Sequence, residues 1–148
     1  MLTDTPLMHA WRISFLANFF TGPIYRDLDI QAGLNRPQFV ILFCLSQKPG
    51  LAAKDICLLT GLPKNSISRA VSELMDRNMI ERETRDEDKR SKTLVLTSVG
   101  SAILESVVPL FLDRQKAMRA ALSEDELRQF DGLLAKMIFA MPAWVKPD

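Results

Sequence analysis

One stretch, from Ala53 to Thr97, most constrains what this 148-residue chain can fold into. It reads as a helix, a tight turn, a second helix, and a two-stranded hairpin with a charged tip. At its centre lies Gly61-Leu62-Pro63-Lys64-Asn65-Ser66-Ile67-Ser68-Arg69. Gly61 takes a positive φ at no steric cost, which suits a sharp turn after a helix. Pro63 has its φ preset for a first helical turn and no N–H to leave unpaired there. Apolar residues then recur at Ile67, Ala70, Val71, Leu74 and Met75, one face of a helix. The other face carries Asn65, Ser68, Arg69, Ser72 and Asp76, short and polar at its N-terminal end. A helix that enters a DNA major groove needs such a surface, slim and furnished with donors for phosphates and base edges. By itself the pattern also describes an ordinary amphipathic surface helix.

The segment that follows changes the weighing. Asn78 stands where this helix must end, and Asn tolerates the left-handed conformation nearly as well as Gly. Ile80 to Arg85 and Thr93 to Thr97 alternate apolar and polar, with Leu94 and Leu96 on one face. Between them runs Asp86-Glu87-Asp88-Lys89-Arg90-Ser91-Lys92, without an apolar residue. That predicts a hairpin with a long solvated tip, a wing.

At these residues the chain resembles the MarR (multiple antibiotic resistance regulator) family of winged helix-turn-helix transcription factors. The resemblance covers nearly the whole chain and is strongest from Gly33 to Gly100. Its most specific pieces are Asp88-Lys89-Arg90, Leu96-Thr97 with Gly100 three residues on, and Ser68-Arg69. It implies that Arg90 enters the minor groove and that Asp88 holds it in place. The candidate DNA-binding residues are thus Lys64, Asn65, Ser66, Ser68, Arg69 and Ser72 of the recognition helix, with Asp88, Lys89, Arg90 and Lys92 of the wing. The chain departs from the family at Asn78, where Gly is usual, and at Ala52, where Ser or Thr often caps the first helix of the motif.

Around this motif the expected fold is mainly α with a small β-hairpin. It is a single subunit spanning 1–148, with a winged helix-turn-helix over 36–97 and dimerisation helices over 1–32 and 98–148. The pattern is helical from Leu7 to about Phe20, with Trp11, Phe15 and Phe19 four apart. Gly22-Pro23 interrupts it, and a helix resumes from Ile24 to Ala32 after a kink. Asn35 caps the next helix and Pro37 sits in its first turn. Phe39 to Leu45 is apolar nearly all round, which marks a central buried helix. Ala53 to Thr60 forms the first helix of the motif, with Ile56, Leu59 and Leu62 facing inward. By resemblance a very short strand just before it completes the wing's sheet. Thr97 caps a long helix from about Ser98 to Ala121 that bends at Pro109. Ser123 and Glu126 form a capping box, and the last helix runs to about Met141, ended by Pro142. The apolar stripes of the terminal helices exceed what one winged domain covers. They predict a homodimer that presents two recognition helices to a pseudo-palindromic operator.

Charge and chemistry narrow the function. Nineteen basic and eighteen acidic residues leave a net charge of +1, so any basic footprint for DNA is local. It centres on Lys64 and Arg69 and on Arg85, Lys89, Arg90 and Lys92. His9 is the only histidine, which disfavours a His-based active site and, with two separated cysteines, a metal site. Cys44 and Cys57 lie in apolar helical segments and read as buried small hydrophobes of a reducing compartment. A redox-sensing role, which the family allows, would need an exposed low-pKa thiolate. No apolar run approaches the ~20 residues of a membrane helix, and no basic-then-apolar leader opens the chain. A cytoplasmic, cofactor-free regulator is expected.

The resemblance also implies a small aromatic effector bound between the dimer helices and the winged domain. Trp11, Arg12, Phe15, Phe39 and Phe43 would line that site; the plainer reading is that they are core and interface. A winged-helix protein-interaction module that binds no DNA stays open as an alternative.

Overall fold

In the computed structural model, residues 5–84 and 92–145 are described. The elements in order are α1 (Met8–Ala32), α2 (Arg36–Gln47), α3 (Ala53–Thr60), α4 (Lys64–Asp76), β1 (Ile80–Thr84), β2 (Lys92–Leu96), α5 (Ser98–Arg119), α6 (Glu124–Phe139) and α7 (Met141–Trp144). They fall into two compact units, residues 1–111 and 112–148.

In the first unit, α2 lies at the centre of the core. Asn35 and Gln38 close a capping box at its start: the Gln38 N–H donates to Asn35 Oδ1 at 3.1 Å, and the Asn35 N–H donates to Gln38 Oε1 at 2.9 Å. Phe39, Ile41, Leu42 and Leu45 of α2 pack with Ile24 and Leu28 of α1, Ile56 of α3 and Ile67, Ala70, Val71 and Leu74 of α4. Leu94 and Ile80 of the hairpin and Leu104 and Val107 of α5 complete this core. Fully burying one such Leu or Ile contributes roughly 1.5–3 kcal/mol.

β1 and β2 pair antiparallel, with Ile80 opposite Leu96 and Thr84 opposite Lys92. Leu51 adds a single bridge to Leu94, in which the Gly50 N–H donates to the Leu94 carbonyl and the Leu94 N–H to the Leu51 carbonyl. That bridge is the expected short strand, reduced to one residue.

Several expectations are corrected. α1 does not break at Gly22-Pro23; it runs as one helix of 25 residues with Pro23 inside. The buried pair Ile24 and Leu28 anchors the stretch beyond the proline, and such packing outweighs the lost hydrogen bond. In α3, Leu59 faces outward at 63% exposure; only Ile56 is fully buried, with Leu62 packed on the core edge. Eight residues make about two turns, too few for an apolar spacing to settle which side is inward. Pro63 is the N-cap of α4, one position before its first turn. Pro142 does not end the last helix. α6 stops at Phe139, and Pro142 sits in the first turn of the short α7, where its missing N–H costs nothing.

Candidate nucleic-acid interface

The helix-turn-helix is built by α3, the turn at Gly61 and α4. Ala52 offers no side-chain acceptor, but the Asp55 carboxylate accepts from the Ala52 N–H at 3.0 Å and so serves the start of α3. Gly61 has φ 66° and closes that helix through its N–H to the Cys57 carbonyl. α4 then divides into the two faces expected of it. Ile67, Ala70, Val71 and Leu74 are buried, while Lys64, Asn65, Ser68, Arg69 and Ser72 are exposed and Ser66 is half-buried. The Ser72 hydroxyl donates to the Ser68 carbonyl at 3.3 Å, a local bond that leaves its acceptor side outward.

The far end of α4 is locked to the hairpin and to α5. Asn78 has φ 58°, as expected of a residue standing for Gly at a helix end. The Met79 N–H reaches back to the Leu74 carbonyl at 2.9 Å, which closes the turn. Thr97 makes three bonds here. Its N–H donates to the Met79 carbonyl, its hydroxyl donates to the Asn78 carbonyl at 2.7 Å, and that hydroxyl accepts from the Gly100 N–H at 3.1 Å. Thr97 is thus both the N-cap of α5 and the strap on the recognition-helix terminus. Gly100 is buried where a Cβ would collide with the Met79 carbonyl oxygen, so α5 lies directly on the turn that launches the hairpin. The Leu96-Thr97-x-x-Gly100 pattern has its physical reason in this contact.

Two further ties on α4 leave no periodic signal in the sequence. Arg77 donates from Nη1 to the Gly33 carbonyl at 2.7 Å and from Nη2 to the Ala32 carbonyl at 2.8 Å. Gln38, buried in α2, donates from Nε2 to Glu73 Oε2 at 2.8 Å.

The wing candidates Asp88, Lys89 and Arg90 lie outside the described residues. Lys92 opens β2, and its side chain is likewise not described. The hairpin stem that would carry them is present, and the Thr93 hydroxyl donates to the Glu83 carbonyl across it at 3.0 Å.

A model described as "MarR family" matches residues 32–91, from the end of α1 across the helix-turn-helix and past β1. Over those residues the chain is similar to the MarR family. Among relatives of this chain, the HTH-type transcriptional regulator BilQ of Clostridium symbiosum is 26% identical over 105 residues, 71% of this chain and 73% of BilQ. A MarR/EmrR family transcriptional regulator from Acinetobacter sp. ADP1 superposes with a TM-score of 0.81 at 24% identity, over 94% of this chain and 98% of the other. The S. aureus MepR–DNA complex matches with a TM-score of 0.79 at 21% identity, over 93% and 99% of the chains. These structures share the winged-helix fold of this chain.

Four of the five candidate effector residues fall into two aromatic groups. Trp11, Phe15 and Phe19 run along α1 with centroids 5.7 and 6.3 Å apart, with Arg12 exposed beside them. Phe39 and Phe43 lie on α2, and Phe39 stacks on Phe111 of α5 at 4.2 Å. Tyr25, which the sequence reading passed over, meets Phe111 edge-on at 6.4 Å under the Arg36 guanidinium. Burial pushes the Tyr25 hydroxyl pKa up, opposed by Arg36. Cys44 and Cys57 are half-buried against the core, and burial raises the Cys44 thiol. Among the described residues no cluster of His, Cys, Asp and Glu has the makings of a metal site, and no helix is long and apolar enough to cross a membrane.

Proposed function

We propose that this chain is a MarR-family regulator, a sequence-specific, double-stranded-DNA-binding repressor that works in the cytoplasm as a homodimer on a pseudo-palindromic operator. The observation that carries the reading is the outward face of α4. Lys64, Asn65, Ser68, Arg69 and Ser72 are all exposed on a helix whose other side is sealed into the core. Small polar residues with two cations make a surface that enters a major groove without steric conflict. In this reading Asp88, Lys89, Arg90 and Lys92 serve the adjacent minor groove and phosphates. The fold shared with the MepR–DNA complex supports it.

The homodimer is supported by apolar surface left outward on the terminal helices. Phe19 is 71% exposed on α1, and Leu133, Ile138 and Phe139 are 60%, 56% and 85% exposed on α6. Exposed apolar area of that kind marks an interface. Release by a small aromatic ligand engaging Trp11, Arg12, Phe15, Phe39 and Phe43 belongs to the same proposal. The alternative of a cysteine-based sensor is disfavoured, since burial moves the Cys44 thiol away from the reactive thiolate.

The test is a mobility-shift assay with duplex from the DNA upstream of this protein's own gene. A retarded band competed by the same duplex and not by a scrambled one is expected. No retardation of any duplex selected from a genomic pool would favour a protein-interaction module instead.

A further inference from the structure

The C-terminal half of α4 is held by the corner between α1 and α2, and the bonds there do more than pack two helices. The last turn of any α-helix leaves carbonyls without intrahelical donors and carries partial negative charge. α1 has no basic residue in its own last turn. Gly33 ends it in the left-handed conformation at φ 58°, and the Ala32 and Gly33 carbonyls accept from outside the helix. The donor to both is Arg77, 44 residues away from Gly33 and itself the C-cap of α4. A guanidinium matches two acceptors with two parallel N–H groups, which fixes direction as well as distance. One turn earlier on α4, Glu73 accepts from Gln38. Gln38 is buried, and its other end is committed to the Asn35 cap of α2. Positions 73 and 77 are i and i+4, so both ties leave the same face of α4. They end on one short piece of chain, residues 32–38.

We propose that Arg77 is a positioning residue for DNA recognition, acting with the Glu73–Gln38 bond. Together they set the angle at which α4 presents Ser68 and Arg69, and through them a displacement of the end of α1 reaches the recognition helix. Arg77 contacts no base in this account; it orients the residues that do. The inference rests on the DNA-binding reading above.

The full-length protein is titrated with a duplex it selects from a random pool and with a scrambled duplex, by fluorescence anisotropy across a range of salt. Arg77→Ala is expected to weaken the selected duplex roughly two- to thirty-fold, the range seen when coupling residues outside a binding surface are changed. The scrambled duplex and the salt slope should stay as in the parent, because no phosphate contact is lost. Arg77→Lys keeps the charge but not the two-pronged geometry, and should recover only part of the loss. Gln38→Glu keeps the acceptor for Asn35 but opposes Glu73, and should shift binding in the same direction; it and Arg77→Lys decide the matter if Arg77→Ala does not fold. Parent-like discrimination in folded Arg77 and Gln38 variants would overturn the inference. So would an equal loss on both duplexes with a salt slope shallower by about one, which marks a direct phosphate contact. A parent protein without preference for any duplex would overturn the DNA-binding reading itself, and this inference with it.

Discussion

At the scale of single residues, the end of the recognition helix depends on residues well separated in sequence, Asn78 and Gly100 among them. Asn78 sits at φ 58°, where a Cβ residue without a helpful polar group is strained by roughly 1–2 kcal/mol. Asn78→Ala should therefore lower stability by about 1 kcal/mol in denaturant titration, whereas Asn78→Gly should be close to neutral. Gly100→Ala is a harsher change, because the added methyl meets the Met79 backbone and not a flexible side chain. It should cost about 3 kcal/mol or more, read as a shift in urea midpoint. Arg90→Ala, in a stretch with no apolar residue around it in sequence, should weaken DNA binding by about 1–3 kcal/mol without changing the fold. Equal affinity of variant and parent at one salt concentration would remove Arg90 from the interface. Asn78 was legible in the sequence because a helix end demands a residue that tolerates positive φ. Arg77 was not, because a bond from one helix cap to another helix's last carbonyls leaves no period, spacing or composition to read.

Elements were legible in proportion to how much of their character is local. α4 has 13 residues and buries four of them at helical spacing, so its two faces follow from the sequence alone. α3, with eight residues, could not be phased this way, and Leu59 turned out to face solvent. Two of the corrections at prolines have one cause. Pro23 is carried through α1 by tertiary contacts of Ile24 and Leu28, and Pro142 takes a first-turn position; neither context is local to the proline. The start of α6 is the opposite case, since its cap is written within four residues. The Ser123 N–H and hydroxyl donate to the Glu126 carboxylate at 2.8 and 2.9 Å. They hold the Glu126 carboxyl below its ordinary pKa, the backbone bond most of all. A carboxyl depressed in the folded state stabilises it above the unfolded pKa, and that contribution is lost as pH falls through the folded value. The first turn of α6 should therefore fray in the acid range, seen as faster amide exchange near Leu127. Glu126→Gln should remove that pH dependence.

At the scale of the whole molecule, the helix-turn-helix and hairpin positions were legible because 3.6- and 2-residue periods alternate there with turn residues between them. The assembly was legible only as a surplus of apolar residues, since a sequence records what must be covered and not what covers it. The exposed Phe19, Leu133 and Phe139 make the same demand in the folded chain. Sedimentation at micromolar concentration should give a dimer, and Phe139→Glu, placing a charge at that surface, should shift the equilibrium towards monomer. If two copies of α4 then read one face of B-DNA, their centres are about 34–36 Å apart and their half-sites about 10–10.5 base pairs apart. Hydroxyl-radical footprinting of the protein on its selected duplex measures this directly. The account predicts two protected patches with that spacing on one face of the DNA, both lost in Arg69→Ala. A single patch, protection without a fixed spacing, or a footprint unchanged by Arg69→Ala would contradict it.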